Sequence, residues 1–118
     1  MHKSSYDKVL DFKNKYLEDK VTIPQSIYDI GSQDVNGSYR PIFLEEVWKY
    51  VGVDMAKGLN VDMCLSDPHN WREIPSKVAD IIISGQAFEH MTNIWAVMLE
   101  VNRILKPGGL CCIVVPSS

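Results

Sequence analysis

Ala79 to Ile83 (ADIII) and Leu110 to Val115 (LCCIVV) are short runs that stay apolar almost without interruption. A strand with one wet face alternates apolar and polar residues, because successive side chains point to opposite sides. A run that is apolar on both sides needs cover on both, as in a parallel sheet packed between helices. Three further strand segments precede them: Ile27 to Ile30, ending at Gly31; Tyr50 to Val53, ending at Asp54; and Val61 to Leu65. The chain therefore reads as α/β, with about five parallel strands.

The segments between these runs have helical spacing. Tyr6, Val9, Leu10, Tyr16 and Leu17 recur along an amphipathic helix over residues 4–20, and Tyr39 to Val47 reads as a short helix with Pro41 in its first turn. Ile94, Trp95, Met98, Leu99, Asn102 and Leu105 form one stripe of a later helix, with Thr92 and Asn93 as caps and Pro107-Gly108-Gly109 as its terminator. The link between the second and third strands is too short for the dozen or so residues of an ordinary parallel crossover. Either the third strand is rudimentary or a loop replaces the crossover helix.

With 118 residues there is material for one domain: an N-terminal helix and lead-in over 1–24 and a core over 25–118. A net charge of −3 with scattered Lys and Arg gives no reason to expect nucleic acid. Cys64, Cys111 and Cys112 form no disulfide or metal pattern, and His2, His69 and His90 lack ligand spacing. No apolar run approaches the ~20 residues needed to cross a bilayer, so no membrane role and a cytoplasmic location are expected. A chain ending after the Leu110 strand would leave an apolar edge, for which a homodimer or further sequence is the expected cover.

Ligands of open α/β sheets bind at the carboxyl ends of the strands. Three acids, Asp29, Asp54 and Asp67, follow or close three successive strands there. Asp29 leads into the small polar loop Gly31-Ser32-Gln33, where glycine lets a backbone approach a ligand. Asp54 is spaced to accept hydrogen bonds from ribose hydroxyls.

These segments resemble the class I, Rossmann-like methyltransferases. Tyr28-Asp29-Ile30-Gly31-Ser32 is similar to their first motif, Val51-Gly52-Val53-Asp54 to their second strand with its ribose-binding acid, and Leu65-Ser66-Asp67-Pro68 to their adenine motif. Ile82 to His90 resembles the segment after their fourth strand, and Val101 to Gly109 (VNRILKPGG) resembles the turn before their fifth. The resemblance implies a doubly wound sheet in the order 3-2-1-4-5, lacking the family's last two strands. It also implies S-adenosyl-L-methionine as cofactor and S-adenosyl-L-homocysteine as product. By the same resemblance Asp29 and the loop Gly31, Ser32 and Gln33 hold the methionine end, Asp54 the ribose and Asp67 the adenine, with Met55 and Pro68 also among the cofactor-binding residues. Ser84 and Gly85 lie beside the sulfonium. Glu89 and His90 are candidates on the acceptor side, with the acceptor unassigned, and Trp71 is a candidate cover for the adenine ring. Gln33 and Val35 stand where the family has its second and third glycines. That departure keeps open a non-catalytic binding or scaffold module. A nicotinamide enzyme is disfavoured because the G-x-G-x-x-G spacing is absent.

Overall fold

The computed structural model describes residues 3–17, 24–32, 38–85 and 92–114. Five strands, β1 (Gln25–Ile30), β2 (Trp48–Asp54), β3 (Met63–Cys64), β4 (Ala79–Ser84) and β5 (Leu105–Ile113), form one sheet in the order β3-β2-β1-β4-β5. Every pairing is parallel. This is the Rossmann-like order expected above, reversing direction between β1 and β4.

Both faces of the sheet are covered, as the unbroken apolar runs require. Ile81 and Ile83 of β4 join Ile27 of β1 in a cluster with Val9, Leu17, Phe43 and Trp48. Ile82 points the other way, into a cluster with Ile30, Val53, Trp71, Val97, Val101 and Ile104. The first layer is built by α1 (Lys3–Phe12) and its continuation, the second by α2 (Ile94–Ile104).

Several local expectations are corrected. The N-terminal helix is α-helical only to Phe12 and then widens into a π-helical turn over Lys13–Leu17. The wider turn rotates the inward face, so Leu17 is buried while Tyr16 stays half exposed. Lys13 anchors this turn, donating from Nζ to the Ile42 carbonyl and to Glu45, both at 2.6 Å. The helix expected over 39–47 shrinks to a single 3-10 turn, Arg40–Phe43, with Pro41 in its first turn and no side-chain cap. Runs of 3-10 geometry are short because its hydrogen bonds are poorly aligned.

The third strand is indeed rudimentary, two residues long, and a loop joins it to β2. The glycine pair does not terminate α2. Leu105 is already extended (φ −78°, ψ 132°) and opens β5, while Lys77 and Val78 donate to the carbonyls of Arg103 and Ile104. Pro107-Gly108-Gly109 instead forms an excursion within β5, since Leu105 pairs with Ala79 but Leu110 with Ile81. At its apex Gly108 has φ +81°, a left-handed value that glycine adopts without penalty.

The buried stripe of α2 also differs. Val97, Val101 and Ile104 face the sheet, whereas Ile94, Trp95, Met98 and Leu99 are substantially exposed. Both stripes have helical spacing, and polar anchors select between them. Asn93 accepts from the Ala96 amide at 3.1 Å as N-cap, and Glu100 accepts from the Trp71 amide at 2.6 Å. Arg103 donates to the carbonyls of Trp71 and Ile74 at 2.8 and 2.9 Å. These bonds lock the 71–76 segment against one side of the helix and fix its rotation. Among the described residues no helix is long and apolar enough to cross a membrane.

Candidate functional site

β1 and β2 run in register, with Asp29 opposite Gly52. Side chains alternate along a strand, so Asp29, Tyr50, Gly52 and Asp54 share one face near the carboxyl edge. Asp54 is the last residue of β2, and Asp29 lies one residue inside the end of β1. Asp67 falls in the loop beyond β3, not at the strand end expected from the sequence.

The turn after β1 is held tightly. Gly31 has φ +79°, and the Gly31 and Ser32 amides both donate to the Val53 carbonyl, at 2.7 and 3.0 Å. The loop that replaces the crossover helix folds back onto this turn through Asn60, itself left-handed at φ +66°. Ser32 Oγ donates to the Asn60 carbonyl at 2.7 Å, and Asn60 Nδ2 returns a bond to the Ser32 carbonyl at 2.9 Å. Gly52 makes the approach feasible: a Cβ there would overlap the Asn60 carbonyl oxygen.

Asp29 is buried, and the Tyr50 hydroxyl donates to its Oδ2. Its Oδ1 has no hydrogen-bond partner among the described residues. Burial pushes this carboxyl up to about 7, opposed by the Tyr50 bond and the Arg40 charge and reinforced by Asp54. Tyr50 is in turn surrounded. Asn60 Nδ2 donates to its oxygen at 3.1 Å, and the Arg40 guanidinium lies 4.3 Å from its ring centre. Arg40 donates from Nε to Asn60 Oδ1 and from Nη2 to Asp62, both at 2.6 Å. Asp62 also accepts from the Gly52 amide at 2.8 Å. Beside this network runs an open groove of about 510 Å³ lined by Ser38, Arg40, Leu44, Leu59 and Val61.

The other sequence candidates are spread along the same edge. Asp54 is partly exposed and accepts from the Met55 amide at 2.7 Å, while the Met55 side chain is exposed. Asp67 closes its own turn, accepting from the His69 amide at 2.8 Å. Pro68 lends its carbonyl to Trp71 Nε1 at 2.8 Å. Trp71 is fully buried in the α2-side core, which removes it as a cover for a bound ring. His69 Nε2 accepts from the Asn93 amide at the start of α2. Ser84 is buried and donates to the Ile30 carbonyl at 2.9 Å, tying β4 to β1. Gly85 lies under the Tyr39 ring, where a Cβ would overlap the phenol. Gln33, Glu89 and His90 lie outside the described residues.

Tyr50, Arg40 and Asn60 were not singled out from the sequence. The one local signal was Asn60 after Gly58-Leu59, since asparagine is among the few residues that tolerate the left-handed region. The link from Arg40 to Tyr50 and Asp29 joins three separate segments and leaves no local pattern.

The sequence matches a family described as a methyltransferase domain over residues 28–113. Among solved structures, the fold is similar to a protein from Methanococcus maripaludis provisionally described as an S-adenosyl-L-methionine-dependent methyltransferase. The TM-score is 0.72 at 20% identity, over 93% of this chain and 55% of that one. The chain thus spans little more than half the length of the structure it matches, and at this identity the likeness is one of fold. No curated protein sequence matches it. Because the family match runs from within β1 almost to the end of β5, the chain belongs to the methyltransferase-domain family.

Proposed function

We propose that the carboxyl edge of β1 and β2 holds S-adenosyl-L-methionine and that the chain carries the donor half of a methyl transfer. The observation that carries this reading is Asp29 Oδ1, a buried acceptor with no donor among the described residues, next to the left-handed Gly31 turn. A buried carboxylate oxygen left unpaired is costly, and a ligand ammonium would satisfy it. The partly exposed Asp54, on the same face, suits hydroxyl donors such as those of a ribose.

In this reading Asp29 receives the α-ammonium, with Gly31, Ser32 and Gln33 along the methionine end. Asp54 and Met55 take the ribose, Asp67 and Pro68 the adenine, and Ser84 and Gly85 border the sulfonium. When bound, the cofactor supplies a methyl group on a sulfonium, already a good leaving group. The chain's own contribution is alignment for in-line attack, an effect worth on the order of 7–11 kcal/mol in favourable cases. A base is required only for an acceptor that keeps its proton at neutral pH, and Glu89 and His90 remain the candidates for that role.

A second reading, a non-catalytic module on the same fold, draws on the cover over Gly85. Tyr39 packs directly on that glycine, and the Ser84 hydroxyl is committed to the Ile30 carbonyl. Methyl transfer by this chain to any acceptor excludes that reading.

Titration calorimetry with S-adenosyl-L-homocysteine tests the first. Binding to the wild-type chain should weaken by about 10- to 100-fold in Asp54→Ala, the worth of hydrogen bonds to a charged acceptor. A folded wild-type chain that binds neither cofactor nor product would remove the proposal.

A further inference from the structure

We propose that Tyr50 is a positioning residue for Asp29, and that seating an ammonium-bearing ligand on Asp29 expels one proton from this pair. The inference rests on the cofactor reading above and adds to it a residue and a coupled proton.

The geometry gives Tyr50 one orientation. Its oxygen accepts from Asn60 Nδ2, so its single proton is directed to Asp29 Oδ2. Its ring is held by Arg40 on one side and lies 6.5 Å from the Phe43 ring. A phenol fixed in this way decides which carboxylate oxygen is occupied and which is offered. Among the described residues, Oδ1 is the one left without a partner.

The proton follows from the charges that meet at Asp29. From β2 come the Tyr50 phenol and Asp54, and from the 3-10 turn and the residue preceding it come Arg40 and Tyr39. Cys112 of β5 acts on Tyr39. Of these only Arg40 is a cation, and it is already shared with Asp62 and Asn60. Burial dominates and pushes the carboxyl up to about 7. The Tyr50 phenol is pushed far up by the same burial and by Asp29, so it stays a donor. An ammonium can pair only with the carboxylate. A protonated Asp29 therefore loses its proton to the buffer as an already protonated ammonium takes its place; no other bond is made or broken.

Calorimetry at pH 6, 7 and 8, in buffers of different ionisation enthalpy, counts the protons. Two ligands serve: S-adenosyl-L-homocysteine, and 5′-methylthioadenosine, which lacks the amino-acid end. For the first, release should approach one proton at pH 6 and fade by pH 8, with affinity rising about tenfold between them. The second should bind without release. In Tyr50→Phe the loss of the phenol donor should move the midpoint up by about one pH unit, weakening the first ligand about fivefold at pH 7 and leaving the second unchanged. A merely structural tyrosine would not move that midpoint.

S-adenosyl-L-homocysteine binding without proton release, or a midpoint that Tyr50→Phe leaves in place, overturns the inference while the cofactor reading survives. No binding of either ligand to the folded chain defeats the cofactor reading itself. Should Tyr50→Phe fail to fold, ¹³C-carboxyl titration of Asp29 in the ligand-free wild type decides: a midpoint near 7 supports the inference, and one below 5 refutes it.

Discussion

Gly52→Ala is the sharpest test of how the site is assembled. Gly52 sits mid-face between Tyr50 and Asp54, and its missing side chain is what admits the returning loop. An added Cβ would overlap the Asn60 carbonyl oxygen and stand 2.6 Å from Ser32 Oγ. The backbone cannot yield there without breaking the Ser32–Asn60 bond pair. Overpacking of this kind costs about 1–3 kcal/mol. Losing two hydrogen bonds adds about 1 kcal/mol each. A total of about 3–5 kcal/mol is a large share of the 5–15 kcal/mol typical of a domain. For a chain of this size it corresponds to a fall in Tm of roughly 10–20 °C, read by circular dichroism. Gly108→Ala is the control: it has φ +81° but nothing within 4 Å, so only the left-handed strain of about 1–2 kcal/mol applies. A Gly52→Ala protein melting within a few degrees of wild type, or no lower than Gly108→Ala, would refute the packing account.

Two further outcomes are expected. Asp29 prefers to be neutral in the folded state, titrating near 7 against an ordinary value of 3.8, so its contribution lowers stability as pH rises from about 4 to about 7 and is constant above. Asp29→Asn should therefore match wild type near pH 4 and exceed it at pH 8 by on the order of 3–4 kcal/mol in urea unfolding; parallel pH profiles would contradict this. Arg103→Met removes the bonds to the Trp71 and Ile74 carbonyls and to Ser76 and should lower stability by about 2–4 kcal/mol. Arg103→Lys should recover little of it, because an ammonium lacks the planar fork; full recovery by lysine in denaturant titrations would count against this role.

Where the sequence was legible, it was so through local periodicity and turn chemistry. The Ile81-Ile82-Ile83 run required a strand buried on both faces, and Asn93 marked the start of α2. The brevity of the link after Asp54 left a rudimentary third strand or a loop crossover as the alternatives, and the structure has both. The errors fell where two local solutions were close in energy. The α2 sequence carries two apolar stripes, and the exposed one includes its bulkiest residue, Trp95. Leu105-Lys106-Pro107-Gly108-Gly109 holds strong helix breakers, but the helix had already ended at Ile104, where Lys77 and Val78 take its last carbonyls.

The sequence by itself determined the class of fold, the strand order suggested by the family resemblance, and the residues placed along the carboxyl edge. The fold class and the edge positions depend on side-chain alternation, chain length between strands and the special backbone needs of glycine and proline, all of which act within a few residues; the strand order came from the resemblance alone. The state of Asp29 was decided only by the tertiary structure. Burial lifts the carboxyl to about 7 against the opposing Tyr50 bond and Arg40 charge, and Tyr50, held by Asn60 and Arg40 from other segments, takes one of its two oxygens. Desolvation and hydrogen-bond geometry are properties of that three-dimensional enclosure, and no stretch of chain carries them alone.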